Sequence, residues 1–245
     1  MMKKLILLAC VLCGIGAAAA EKHTYSLALN WKFVWINAGN ACLQTENIEY
    51  NGTDALRTTL TASTNPSTDK IYKLKDTLVS ITDRAGNPLL FKKNCIEGDD
   101  VVDERAVFSR TSAGHWRVMQ RKVKKDGSVI ENDTTCTAPV FDMVSLMMQA
   151  KEMDLSSMSF GQRSEVLMVG SRRVYRQSLV YGGLIDLALK NDDVRRCHVF
   201  TIVKPDKAGL DKEVLRFYVS DDAQRTPLQI DFFLKFGTAK ARLEE

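Results

Sequence analysis

The chain has 245 residues, of which 45% are hydrophobic and 26% charged, with a net charge of +4. That is ample apolar material for a core, and far too even a charge balance to expect a nucleic-acid partner. No low-complexity segment, solenoid-period repeat or Pro/Gly/Ser-rich linker divides it.

Residues 1–20 read as a cleaved secretory signal. Lys3 and Lys4 precede the apolar run "LILLACVLCGIG", and Ala18 and Ala20 fit a small-x-small cleavage site. One domain, residues 21–245, remains, and the loss of two lysines lowers its net charge to +2. "LLAC" also resembles a bacterial lipobox, which gives a second reading, a protein anchored through a lipid on Cys10. The short apolar stretch before that cysteine favours soluble export to the periplasm. No later run reaches the length of a membrane span, so no transmembrane segment is expected in the mature chain.

The first mature stretch, "YSLALNWKFVW", alternates like a strand with one heavy face. Tyr25, Leu27, Leu29, Trp31, Phe33 and Trp35 fall on one side. "NAGN" reads as a turn, "NGTD" opens the next hairpin, and "ALRTTLTAS" alternates again before a loop, "TNPST". "KIYKLKDTLVSITD", "LLFKKNCIEG", "VDERAVFSR", "HWRVMQRKVKK" and "SVIEND" continue a meander of short strands separated by turn residues. Next comes the one convincing helix, "VFDMVSLMMQAKEMD", started by Pro139 and carrying Met143, Met147 and Met148 at helical spacing. Strands then resume to the end, and Leu228, Ile230, Phe232, Leu234 and Phe236 alternate as cleanly as the opening. The expected fold is mainly β: one strongly curved antiparallel sheet, an incomplete β-barrel, with the helix packed on its concave side.

Signatures of chemistry are scarce. No H-E-x-x-H, G-x-S-x-G, P-loop or dinucleotide fingerprint occurs, and the three histidines are not spaced for a metal, so neither metal nor cofactor is expected. Asp221 and Asp222 support a hydrolase only if their carboxylates converge in a cleft; otherwise they are turn residues. Cys42, Cys95, Cys136 and Cys197 are disulfide candidates in an exported chain, with free thiols as the alternative; in a meander Cys42 and Cys95 lie near the same strand ends. Leu29, Trp31, Phe33 and Trp35, facing flexible Met143, Met147 and Met148, are the candidate pocket.

The C-terminal stretch "FYVSDDAQRTPLQIDFFLKFGTAKARLEE" resembles the signature of an exported bacterial family known as domain of unknown function 3108. The matching positions are Tyr218, Asp221, Asp222, Ala223, Arg225, Pro227, Gly237 and Leu243. Tyr25, Trp31, Gly39, Tyr72, Asp76, Asp142, Ser145 and Cys197 resemble the family's earlier blocks. The chain departs from the family at Cys42, Cys95 and Cys136 and in "YGGLIDLALKNDDVRR". The resemblance implies a fold similar to periplasmic lipoprotein carriers, which hold acyl chains between a half-barrel and its lid. It implies a non-enzymatic envelope protein that binds a lipid-like or other apolar ligand. The alternative is an envelope interaction or structural module whose barrel is filled by its own side chains, with a protein or glycan partner.

Overall fold

The computed structural model describes residues 21–31, 34–190, 193–234 and 237–244. They form fifteen strands in a single sheet, ordered β8-β7-β6-β5-β4-β3-β2-β1-β15-β14-β13-β12-β11-β10-β9. The first eight are β1 (Glu21–Trp31), β2 (Val34–Tyr50), β3 (Thr53–Thr64), β4 (Leu74–Asp83), β5 (Pro88–Glu97), β6 (Asp100–Arg110), β7 (Trp116–Val123) and β8 (Val129–Cys136). After β9 (Val140–Phe141) and a helix come β10 (Arg163–Val169), β11 (Val174–Ala188), β12 (Val194–Pro205), β13 (Asp211–Ser220), β14 (Pro227–Leu234) and β15 (Gly237–Glu244). All pairings are antiparallel except β9 with β10.

The two edge strands are neighbours in sequence. β8 ends at Cys136 and β9 begins at Val140, so four peptide steps bridge the two edges of the sheet. Such a link spans at most about 14 Å, and a flat sheet of this width could not satisfy it. The sheet therefore curls into a nearly closed barrel. Across the seam Gln120 Nε2 donates to the Gly170 carbonyl at 2.7 Å, and Lys122 Nζ donates to Ser171 Oγ at 3.3 Å.

The opening stretch is a hairpin rather than one strand: β1 stops at Trp31, and β2 starts at Val34, which pairs with it. A break of two residues preserves alternation in both arms, which is why the pattern read as continuous. "NAGN" is likewise no turn. It lies inside β2, where the register against β1 shifts between Leu27 and Ala28 and leaves Ala38 as the extra residue of a bulge. Gly39 sits beside it, and a Cβ there would lie 2.0 Å from the Ser63 carbonyl oxygen. "TNPST" holds a short helix, α1 (Pro66–Asp69), capped by Asn65, whose side chain accepts from the Thr68 amide.

The longer helix, α2 (Met143–Lys151), packs on β3 and β4. At nine residues it is too short to persist alone, so its stability comes from packing and capping. Asp142 is its N-cap and accepts from the amides of Val144 and Ser145, both at 2.9 Å, while Ser145 Oγ accepts from the Asp142 amide. The cap is fully buried and also accepts from Ser80 Oγ of β4 at 2.8 Å, tying helix start to sheet. Burial pushes the Asp142 carboxyl upward.

Candidate functional site

Only part of the expected aromatic stripe enters the core. Tyr25, Leu27 and Leu29 are buried, and they share one continuous core with Val144, Leu146 and Met147 of α2. Met143 and Met148 are partly buried against the same core. Trp35 is not there: it belongs to β2, is 46% exposed, and stands beside Lys240, whose Nζ lies 4.6 Å from the ring centre. The two-residue break explains this, because a residue past a hairpin takes its face from the new strand's register. Phe33 and the side chain of Trp31 lie outside the described residues.

Among the described residues the four cysteines are free thiols and no disulfide links two strands. Cys42, Cys95, Cys136 and Cys197 sit on β2, β5, β8 and β12, no two of which are neighbours in the sheet. The suggested Cys42–Cys95 pair is split by two intervening strands, β3 and β4. With an extensive core the fold does not need the covalent link.

The family-type turn after β13 is a clamp. Asp222 Oδ1 accepts from Ser220 Oγ and from the amides of Gln224 and Arg225, which shapes the loop. Arg225 adopts a left-handed φ of 48° there. Its guanidinium donates to the carbonyls of Lys151, at 2.7 Å, and Met153, at the C-terminal end of α2. Pro227 then offers its carbonyl to the buried Tyr25 hydroxyl at 2.9 Å. Asp221 turns elsewhere. It accepts from His198 Nε2 at 3.0 Å, and His198 Nδ1 meets Tyr181 OH at 2.8 Å. The two neighbouring carboxylates thus serve separate partners and do not converge. The Tyr181–His198–Asp221 chain escaped sequence reading because its members come from three segments.

A larger concavity lies at the end of the barrel where β14 stops. Asp69, Ile71, Tyr72 and Lys73 from the β3–β4 connection border it, with Glu97, Gly98, Asp99 and Asp100 of the β5–β6 turn and Phe233 and Leu234 of β14. β5 and β14 are far apart in the sheet order, so the cleft, of about 880 Å³, is the barrel's mouth. Its size suits a ligand site. Ile71 is 52% exposed at its rim.

Just inside the mouth, Asp76 of β4 stands opposite Cys95 of β5. Asp76, Cys95 and Glu97 place their donor atoms within 4.8 Å of one another. Glu97 also takes an ion pair from Lys93 at 3.0 Å. Asp76 Oδ1 is buried without a hydrogen-bond partner. Burial raises the Asp76 carboxyl to about 6, moderated by the adjoining Cys95 thiol, and burial also raises that thiol. Burial, with nearby Glu97, Asp76 and Asp100, lifts the Tyr72 phenol to about 12. The trio has donors a divalent ion could use, but the Lys93 ammonium already occupies Glu97 and opposes a second cation. What the arrangement can do is hold or release a proton at Asp76 near neutral pH beside a partly apolar cleft. Sequence reading placed Tyr72 and Asp76 in a motif; the register that assembles them with Cys95 and Glu97 was invisible to it.

The family described as protein of unknown function (DUF3108) matches residues 24–244. The chain belongs to that family. A search of curated proteins finds no match. Among solved structures, a β-barrel-like protein of domain of unknown function DUF1849 from Brucella abortus is similar, with a TM-score of 0.52 at 9% identity. The alignment covers 91% of this chain and 95% of that one. At that identity the likeness speaks for the fold, and both are barrel-like. Within the DUF3108 chain the matched motif positions act on structure: Tyr25, Asp142, Asp222 and Arg225 hold turn, helix and sheet together.

Proposed function

We propose that this is an exported, non-enzymatic cell-envelope protein that binds a lipid-like or otherwise apolar ligand at the mouth of its barrel, with α2 lying on the concave side of the sheet. The supporting observation is the cleft of about 880 Å³ with Phe233, Leu234, Ile71 and Tyr72 on its walls. The ligand's apolar part lies against these side chains, and its polar end faces Glu97, Asp99 and Asp100. This moves the expected pocket outward, from the stripe of Leu29 and Met147 to the rim.

The deep burial of Leu29 and Met147, 4% and 2% exposed, favours a second reading, a filled barrel that serves as an envelope interaction module. Native mass spectrometry of protein prepared from the periplasm without detergent separates the two. A ligand-sized adduct that is lost on denaturation, and weakened in Ile71→Glu, supports the binding protein. A bare mass that stays bare when lipids are added points to the filled barrel. Recovery of the protein only in the cytoplasm would remove the envelope role.

A further inference from the structure

A second recess lies on the opposite face of β1 from the core, away from the mouth cleft. Alternation turns Ser26 and Ala28 to this face while Tyr25, Leu27 and Leu29 point into the core. Their register partners on β15 are Arg242 and Lys240. On the other side β2 contributes Trp35, and Lys190 reaches in from the β11–β12 connection. Two short side chains between long neighbours leave a furrow of about 280 Å³. Its flanking strands are two strand spacings apart, roughly 10 Å, which is the width of a single sugar ring with its substituents.

The furrow's chemistry is one-sided. Lys190 is neutralised by an ion pair with Glu244. Arg242 is held through Nε alone, which donates to Gln229 Oε1 at 3.0 Å. Gln229 is 2% exposed and is itself fixed, donating from Nε2 to Asp231 Oδ1 at 2.8 Å, while Asp231 Oδ2 accepts from Tyr218 OH at 3.1 Å. This buried chain orients the guanidinium, and no acceptor among the described residues occupies its terminal nitrogens. Lys240 makes no salt-bridge contact among the described residues, although it lies opposite Asp231 in register and acts on that buried carboxylate through space. Its ammonium stands over the half-exposed indole of Trp35. A fixed guanidinium fork, an ammonium and a half-exposed indole thus meet over a floor of small residues. A fork of this kind takes a phosphate or carboxylate in two parallel hydrogen bonds. The indole offers an apolar face with a polar edge.

We infer that this furrow is a binding site for an acidic saccharide, a hexose carrying a phosphate or carboxylate group. Its anion lies on Arg242 and Lys240 and the C–H face of its ring lies against Trp35. The site is independent of the mouth cleft and of any ligand there.

The test is an NMR titration of uniformly ¹⁵N-labelled protein, following the Trp35 indole N–H, assigned with Trp35→Phe. Glucose 6-phosphate, glucuronate, glucose and inorganic phosphate are the probes. The expected result is a saturable shift with the two acidic sugars, and binding about tenfold weaker or more with glucose or phosphate alone. Lys240→Gln and Arg242→Gln each weaken acidic-sugar binding about tenfold, and added salt weakens it further. Trp35→Ala, an exposed position that leaves the core intact, followed through the backbone amides of Ala28 and Lys240 in the same labelled spectra, abolishes the preference for sugar phosphate over phosphate. Ala28→Leu fills the floor and blocks all four probes. An unmoved indole resonance with both acidic sugars overturns the proposal. So does equal affinity for phosphate and glucose 6-phosphate, or binding unaffected by loss of either cation.

Discussion

The Arg225 guanidinium donates to the Lys151 carbonyl across 74 residues of chain, at 2.7 Å. A turn between two late strands thereby caps the C-terminus of the helix that follows the first eight. Carbonyls at a helix end have no partner within the helix and carry partial negative charge, so a charged donor there is worth more than a neutral one. Arg225→Ala is expected to cost about 1–3 kcal/mol, and Arg225→Lys should recover less than half, since an ammonium cannot reproduce the fork. Urea denaturation of the three proteins decides it. Equal midpoints for wild type and Arg225→Ala would show that water caps the helix just as well.

Two glycines allow backbones to touch. A Cβ on Gly39 would meet the Ser63 carbonyl oxygen at 2.0 Å, and one on Gly237 the Asn30 carbonyl oxygen at 2.3 Å. Neither obstacle is a movable side chain. Gly39→Ala should lose about 3 kcal/mol or more, visible as a collapse of soluble yield or a lowered melting temperature. Gly114→Ala, with open space around it, provides the mild control, its cost arising only from a φ of 77°. Indistinguishable melting of the two variants would contradict the close approach.

Asp76 makes the barrel sensitive to pH in a defined direction. Its folded carboxyl titrates near 6, against an ordinary value of 3.8, so between these values the folded state holds the proton more tightly. Stability from this group is therefore greatest below about pH 4 and declines as pH rises through 6, then stays level. The groups facing it are Cys95, Glu97, Lys93 and the Tyr72 phenol. Asp76→Asn removes the charge penalty, so at pH 7.5 the variant should be more stable than wild type by on the order of 1–2 kcal/mol. That gain should vanish at pH 4. Denaturation curves at both pH values measure it, and a gain independent of pH would assign the effect to packing.

With four free thiols, reductant should leave the melting temperature of the 21–245 form unchanged. Thiol titration after unfolding in denaturant alone should find four groups. Finding two would mean that a bridge forms, which this arrangement of strands does not place.

Much of the β-structure was legible because side-chain burial on strands has a period of two, as on β7, where Trp116 and Val118 are buried and Arg117 and Met119 exposed. Alternation alone was blind to interruptions that preserve it. The break between Trp31 and Val34 left the pattern looking continuous, and the bulge at Ala38 looked like a turn because its residues are turn formers. The helix was legible from spacing, but its start was not: Pro139 was expected to open it, whereas Val140–Phe141 pair as β9 and Asp142 caps the helix. The mouth was not. Asp76 stood out only as a motif position and Lys93 and Glu97 carried no signal; only the register of β4 against β5 brings them together. Trp35 was placed inside on the assumption of an unbroken strand. The same reasoning hid His198, whose partners Tyr181 and Asp221 lie 17 and 23 residues away on other segments.

The seam between β8 and β9 has a topological consequence. The chain's two terminal strands, β1 and β15, lie side by side in the middle of the sheet, with Thr24 opposite Glu244, while its midpoint supplies both margins. Joined end to end, the polypeptide is a ring of strands in which every neighbour in sequence is a neighbour in space except at residues 137–139. A circular permutant that links residue 244 to residue 21 and opens at those three positions would run in strand order from one margin to the other, a meander throughout except for the parallel β9–β10 pair joined through α2. Its longest-range pairing, now spanning nearly the whole chain, becomes a local hairpin, and so the permutant should fold faster than the natural order. Its barrel, freed of the short strap, should be easier to spread along that line.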